Sequence, residues 1–147
     1  MPAGPAALGF AYFAAVKVAG YSSYCRWAIQ PRLPSSAPGA SAPPNALWAG
    51  TARTLLGIAF GAVAGLAFWK IPYTSTHDAA ADTLFFAMLI PVRILEWWLL
   101  LRILYRHFPL SAAPSRHLIG FGILVSFALD LIGIAAAFIL PGGIWIC

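Results

Sequence analysis

Hydrophobic residues run along this chain in long unbroken tracts, without the alternation of apolar and polar faces that marks an amphipathic helix. Leu47 to Trp69, Thr83 to Tyr105 and Leu118 to Leu140 are each 23 residues long. That is about 34 Å of helix at 1.5 Å per residue, enough for a hydrocarbon core of about 30 Å. A fourth tract, Ala6 to Ala28, is the most polar of the set because it carries Lys17, Ser22, Ser23 and Arg26. Helices apolar on every side belong in lipid or deep inside a large protein, and 147 residues do not make a large protein. The pattern predicts an all-α integral membrane protein with four transmembrane helices at about 6–28, 47–69, 83–105 and 118–140. They form a compact bundle, one domain spanning 1–147.

Punctuation between the tracts agrees with this division. The stretch 30–46 holds Pro31, Pro34, Pro38, Pro43 and Pro44 among Ser, Ala and Gly, a composition that makes an irregular connector and no core. A cleaved signal peptide is the competing reading of the first tract. It needs a positive n-region, and Met1 to Gly9 contains no Lys or Arg.

Composition removes the soluble alternative. The chain is 61% hydrophobic and only 9% charged, against about 25% charged in a typical soluble domain, and its mean hydropathy is +0.83. The pI near 9.7 is a matter of placement. Arg26, Arg32 and Arg53 flank the first connection and Arg102, Arg106 and Arg116 the third, while the second has Lys70 alone. Positive flanks face the cytoplasm, so both termini are expected outside, in a bacterial inner membrane. The basic balance is no argument for nucleic acid. Cys25 and Cys147 fall at opposite ends of the bundle in this topology, which excludes a disulfide between them, and neither sits in a paired-cysteine motif.

The informative residues are the ionisable ones inside the apolar tracts: Lys17, Arg93, Glu96 and Asp130. Each costs about 2.5–3.5 kcal/mol at a helix centre if it faces lipid. All four must therefore point inward and find partners. Counted from the cytoplasmic ends, they lie at about 14–18 Å depth, one layer. Arg93 and Glu96, three apart, share a face of the third helix, and Lys17 and Asp130 complete a set with no net charge. Tyr21 and Tyr24 continue the stripe of Lys17, and Ser126 precedes Asp130 by one turn on a face of small residues. Pro91, two residues before Arg93, predicts a bend that frees the Ala87 carbonyl toward the interior.

Gly57, Gly61 and Gly65 form a double G-x-x-x-G on the second helix and predict a close packing seam, within the chain or against a second copy. Trp97 and Trp98 point about 100° apart, so one is expected at the charged layer and the other at lipid or a partner. His77, Asp78 and Asp82 offer metal-ligand chemistry on the second connection. Ser75 with Asp78 reads equally as a capping box that needs no ligand, and no metal or other cofactor is expected. His107 and His117 sit at the rim, near lipid phosphates. No histidine accompanies Ser126 and Asp130, so nucleophilic catalysis is unsupported and the chain reads as a non-enzyme.

Three functions fit these residues. The favoured one is a transporter- or channel-like protein binding a polar solute or ion at the midplane. The second is a non-catalytic subunit or assembly partner of a larger membrane complex, its charges serving as glue between helices. A lipid-head-group enzyme comes third, because phosphates lie shallower than this layer. Membrane lipids and a second copy, or other membrane subunits, are the expected partners.

Overall fold

The computed structural model describes residues 7–33, 43–68, 79–106 and 112–137, with side chains over 9–33, 43–63, 89–106 and 115–136. They form four helices: α1 (Ala7–Tyr24), α2 (Ala46–Phe68), α3 (Ala79–Leu104) and α4 (Ala112–Ala137). No strand occurs among the described residues.

Local chemistry sets the visible ends. Beyond Tyr24 the first helix widens into a π turn, Cys25–Ile29, and then tightens into a 3₁₀ turn, Gln30–Arg32. Pro31 has no N–H with which to continue the α ladder. The Gln30 N–H reaches back to the Cys25 carbonyl instead, and Arg32 Nη1 donates to the Ala28 carbonyl at 2.6 Å. At the start of α2 the Asn45 side chain caps the helix, Oδ1 accepting from the Leu47 N–H at 3.0 Å. Gln30 Nε2 donates to the Pro44 carbonyl at 3.1 Å, which ties the exit of α1 to the entry of α2 across the proline-rich connector.

Each helix packs on its chain neighbour and α4 closes back onto α1, a four-helix ring. Neighbours run antiparallel. Lys17, Tyr21 and Tyr24 of α1 meet Asp130, Ser126 and Leu118 of α4 in descending order. On the opposite side, Arg53 lies against Glu96 while Gly57 lies near Arg93.

Glycines mark the closest approaches. A Cβ on Gly50 would stand 2.5 Å from the Ser22 backbone nitrogen, so α1 and α2 are seated backbone to backbone there. Gly122 leaves room for the Trp97 indole, Gly20 for Leu129 and Gly133 for Phe13. Of the predicted seam, Gly57 is buried and Gly61 half-buried, and Gly65 lies in helical backbone beyond the described side chains. Gly57 faces charged side-chain heads rather than a neighbouring backbone: a Cβ there would meet Arg53 Nη1 at 3.4 Å and Glu96 Oε1 at 3.7 Å.

The bundle is apolar outside and charged inside. Trp27, Val63, Phe121, Leu124 and Leu131 face outward, while Lys17, Arg53, Arg93, Glu96 and Asp130 are buried. Two helices contain stretches long and apolar enough to cross a membrane, 46–63 in α2 and 115–136 in α4, with mean hydropathies of 1.3 and 2.3. Only 33% and 28% of those stretches are buried, whereas the core helix of a soluble protein is mostly buried.

The seating of Gly50 gives a direct prediction. Gly50→Ala should lower the thermal midpoint of the detergent-purified protein, overpacking by about 1–3 kcal/mol. Gly120→Ala, where nothing lies within 4 Å, should leave the midpoint unchanged or raise it by the helix preference for Ala, up to about 1 kcal/mol. Equal midpoints for the two variants would remove the α1–α2 contact from the account.

Candidate functional site

Lys17 of α1, Arg53 of α2, Arg93 and Glu96 of α3 and Asp130 of α4 meet inside the bundle, each 3% exposed or less. Asp130 holds two cations, Lys17 Nζ at 2.7 Å from Oδ1 and Arg93 Nη2, which donates to Oδ2 at 2.9 Å. Glu96 also holds two. Its Oε2 accepts from Arg53 Nη2 at 2.5 Å and from Arg93 Nη1 at 3.1 Å. Arg93 gives one nitrogen to each carboxylate, so the ion pairs run as a single chain, Lys17 to Asp130 to Arg93 to Glu96 to Arg53, through all four helices.

The four charges expected at one level are thus brought together, in a pattern that differs from the expectation twice. Arg93–Glu96 and Lys17–Asp130 are not separate pairs, because Arg93 joins them. More consequential is Arg53, which the positive-inside reading placed among the surface cations and which is 0% exposed. It changes the balance: three cations against two carboxylates leave a formal +1 with all five ionised, where the four-residue set was neutral. Its position near the start of α2 suggested a flank, but a long side chain reaches along the helix to a deeper layer. One signal pointed inward. Arg53, Gly57 and Gly61 recur every four residues, so the arginine lies on the same stripe as the glycines.

A second shell holds the arginine heads. The Arg53 guanidinium carbon lies 4.8 Å from the centre of the Tyr21 ring and 5.1 Å from that of Trp97, contacts worth up to about 2 kcal/mol each when dry. Trp97 is in turn packed edge to face by Tyr21 and Tyr24, with centroids at 5.7 and 5.1 Å. Lys17 Nζ stands 4.3 Å above the Phe13 ring. Ser126 Oγ is the meeting point of this shell: it accepts from Trp97 Nε1 at 3.2 Å, Tyr21 Oη at 3.3 Å and Arg53 Nη2 at 3.4 Å, and donates to the Gly122 carbonyl at 2.9 Å. Tyr24 Oη donates to the Leu118 carbonyl at 2.6 Å.

Other candidates lie elsewhere. Of the tryptophan pair, Trp97 is the buried member and Trp98 faces outward with Arg102 against it. Pro91 is exposed on the outer face of α3, near Ile94, Leu95 and Trp98. The carbonyl it frees lies on that same helix face, so it does not enter the charged layer as expected. His77 and Asp78 lie outside the described residues, and of Asp82 only the helical backbone is described. Among the described residues no three His, Cys, Asp or Glu side chains gather as a metal site. His117 is exposed at the rim, and among the described residues no imidazole lies in the layer to serve as a base. The arrangement can hold an ion or polar solute by charge, or lock four helices in register.

The chain of ion pairs predicts an order of damage. Glu96→Gln leaves Arg53, and Asp130→Asn leaves Lys17, buried without an acid while Arg93 keeps the other carboxylate, and each should cost about 3–5 kcal/mol. Lys17→Met should cost distinctly less, because Asp130 keeps Arg93 and the formal charge of the layer falls to zero. Thermal unfolding in detergent measures the order, and a Lys17→Met variant less stable than both acid variants would contradict it. No family model, curated protein or solved structure matches this chain, so the role of the layer rests on its geometry.

Proposed function

We propose that this chain is a four-span membrane protein of the transporter or channel type, whose charged layer binds a polar solute or ion near the middle of the bilayer. The observation that carries the reading is the excess positive charge of a layer drawn from all four helices. Purely structural intramembrane charges need balance, since an uncompensated buried ion costs several kcal/mol. A layer with one charge in surplus is poised for something of opposite sign.

The exterior supports the membrane placement. Arg26, Arg32, Arg102, Arg106 and Arg116 are exposed near one end of the bundle, and Arg53, now removed from that set, still leaves five. This end faces the cytoplasm, with both termini on the other side of a bacterial inner membrane. Exposed Trp27 and Trp48 near the same end sit at headgroup level. Lipids cover the outer faces, and a second copy against the outer side of α3 thickens the wall around any pathway.

One observation favours the second reading, an assembly partner without transport of its own: both carboxylates are already doubly bonded, so the layer is sealed. A lipid-head-group enzyme gains nothing, because the layer lies away from the exposed arginines that would meet phosphate.

Proteoliposomes decide between these. Under imposed gradients of a panel of inorganic salts, wild-type protein should give protein-dependent charge movement on a solid-supported membrane. Lys17→Met, folded, should lose at least nine-tenths of it. Monodisperse, correctly folded wild type that moves none of the ions would sink the transport reading in favour of the assembly one.

A further inference from the structure

The outer face of α3 joins an apolar groove to a cation. Pro91, Ile94, Leu95 and Trp98, all exposed, line an open space of about 450 Å³ there. Arg102 follows Trp98 by four residues and Pro91 by eleven, so it continues the same stripe toward the end of the bundle where the exposed arginines gather. Its guanidinium carbon stands 5.6 Å from the centre of the Trp98 ring, within cation–π range. Arg102 is itself exposed, in the last turn of α3, and makes no ion pair among the described residues. Glu96 and Asp130, the carboxylates whose side chains are described, are both buried in the layer. An acid for Arg102 therefore comes from outside the described part of the bundle.

From this placement we infer that the face of α3 from Pro91 to Arg102 binds one anionic phospholipid, its acyl chain in the groove and its phosphate on Arg102. Length sets the orientation. Pro91 lies two residues from Arg93, level with the charged layer, and the eleven residues from Pro91 to Arg102 rise about 16 Å, against about 15 Å for half of a hydrocarbon core. The groove thus spans one leaflet, with its cation at the headgroup end and the Trp98 indole just inside it. Chemistry sets the headgroup: a guanidinium gives a phosphate two parallel N–H donors, and the indole already holds this one in place. Charge sets the preference for an anionic lipid. No described carboxylate stands near Arg102 to receive the ammonium of a zwitterionic headgroup, and Arg26, Arg32, Arg106 and Arg116 are exposed at the same end. A second copy of this chain offers the groove an apolar face but brings Arg102 no exposed carboxylate among the described residues, so contact between copies along α3 forms over the lipid. The inference rests on the membrane placement of the bundle and is independent of what the charged layer does.

Native mass spectrometry of the full chain released from detergent tests it, with dioleoyl phosphatidylglycerol and dioleoyl phosphatidylcholine titrated separately. The glycerol lipid should bind at least about tenfold more tightly than the choline lipid. Inorganic phosphate in large excess should leave it bound, which separates a lipid site from a free-phosphate site. Arg102→Gln removes the phosphate contact, and Leu95→Trp keeps every charge while placing a larger side chain in the groove; each should weaken the glycerol lipid at least about fivefold. Arg26→Gln, at the same end but off the groove, should change it less than about twofold. Both groove variants alter exposed residues, so their lipid-free thermal midpoints should stay within about 2 °C of wild type. If one of the two fails to fold, the other decides. Equal affinity for the two lipids, displacement by inorganic phosphate, equal losses in Arg26→Gln and Arg102→Gln, or wild-type affinity in Leu95→Trp overturns the site. A lipid-free dimer that Leu95→Trp dissociates would overturn it too, giving the groove to a second copy.

Discussion

Two carboxylates, Glu96 and Asp130, hold three cations where water does not reach, and the rest of the bundle is arranged so that they can. Taking one such ion out of water costs several kcal/mol even after relaxation. The cost is offset only by short contacts from other helices, and these require the helices to be close and in register. Each glycine seat serves that end. Gly50 brings α1 against α2, Gly122 admits the Trp97 indole beneath Ser126, and Gly57 gives the arginine heads their space. The aromatic rings of Tyr21 and Trp97 then face Arg53 with their negative π surfaces, which helps to hold a cation that shares Glu96 with Arg93.

This reverses the usual division between interior and surface. Among the described residues, large apolar side chains lie on the outside and ion pairs fill the middle. The same network fixes specificity: with Arg93 tied to both acids, no helix can slide by a turn without breaking at least one ion pair.

Much of this was legible in the chain, for physical reasons that differ from residue to residue. Four helices follow from tract length alone. Lys17, Arg93, Glu96 and Asp130 stand out because a charge amid twenty apolar residues has no alternative to facing inward. Arg53 was harder to place, since its backbone lies within two turns of the helix start and an arginine there serves equally well as a surface cation; only its spacing from Gly57 and Gly61 hinted otherwise. The proline inside α3 was legible and the face it takes was not, because a two-residue offset from Arg93 turns Pro91 to the outer side of the helix. Nor does sequence tell a glycine that seats a backbone from one that seats a guanidinium: Gly50 and Gly57 look alike until their neighbours are known. How two separate pairs become one chain depends on Arg93 reaching both acids at once, a matter of side-chain geometry.

The membership of Arg53 in the layer carries the excess charge and everything built on it. A double-mutant cycle between Arg53→Met and Glu96→Gln, read as unfolding free energy in detergent, measures that membership directly. The account predicts a coupling of at least about 1.5 kcal/mol, with the double variant more stable than Glu96→Gln alone because it restores the formal +1. Effects that add to within about 0.5 kcal/mol would place Arg53 outside the network and contradict it.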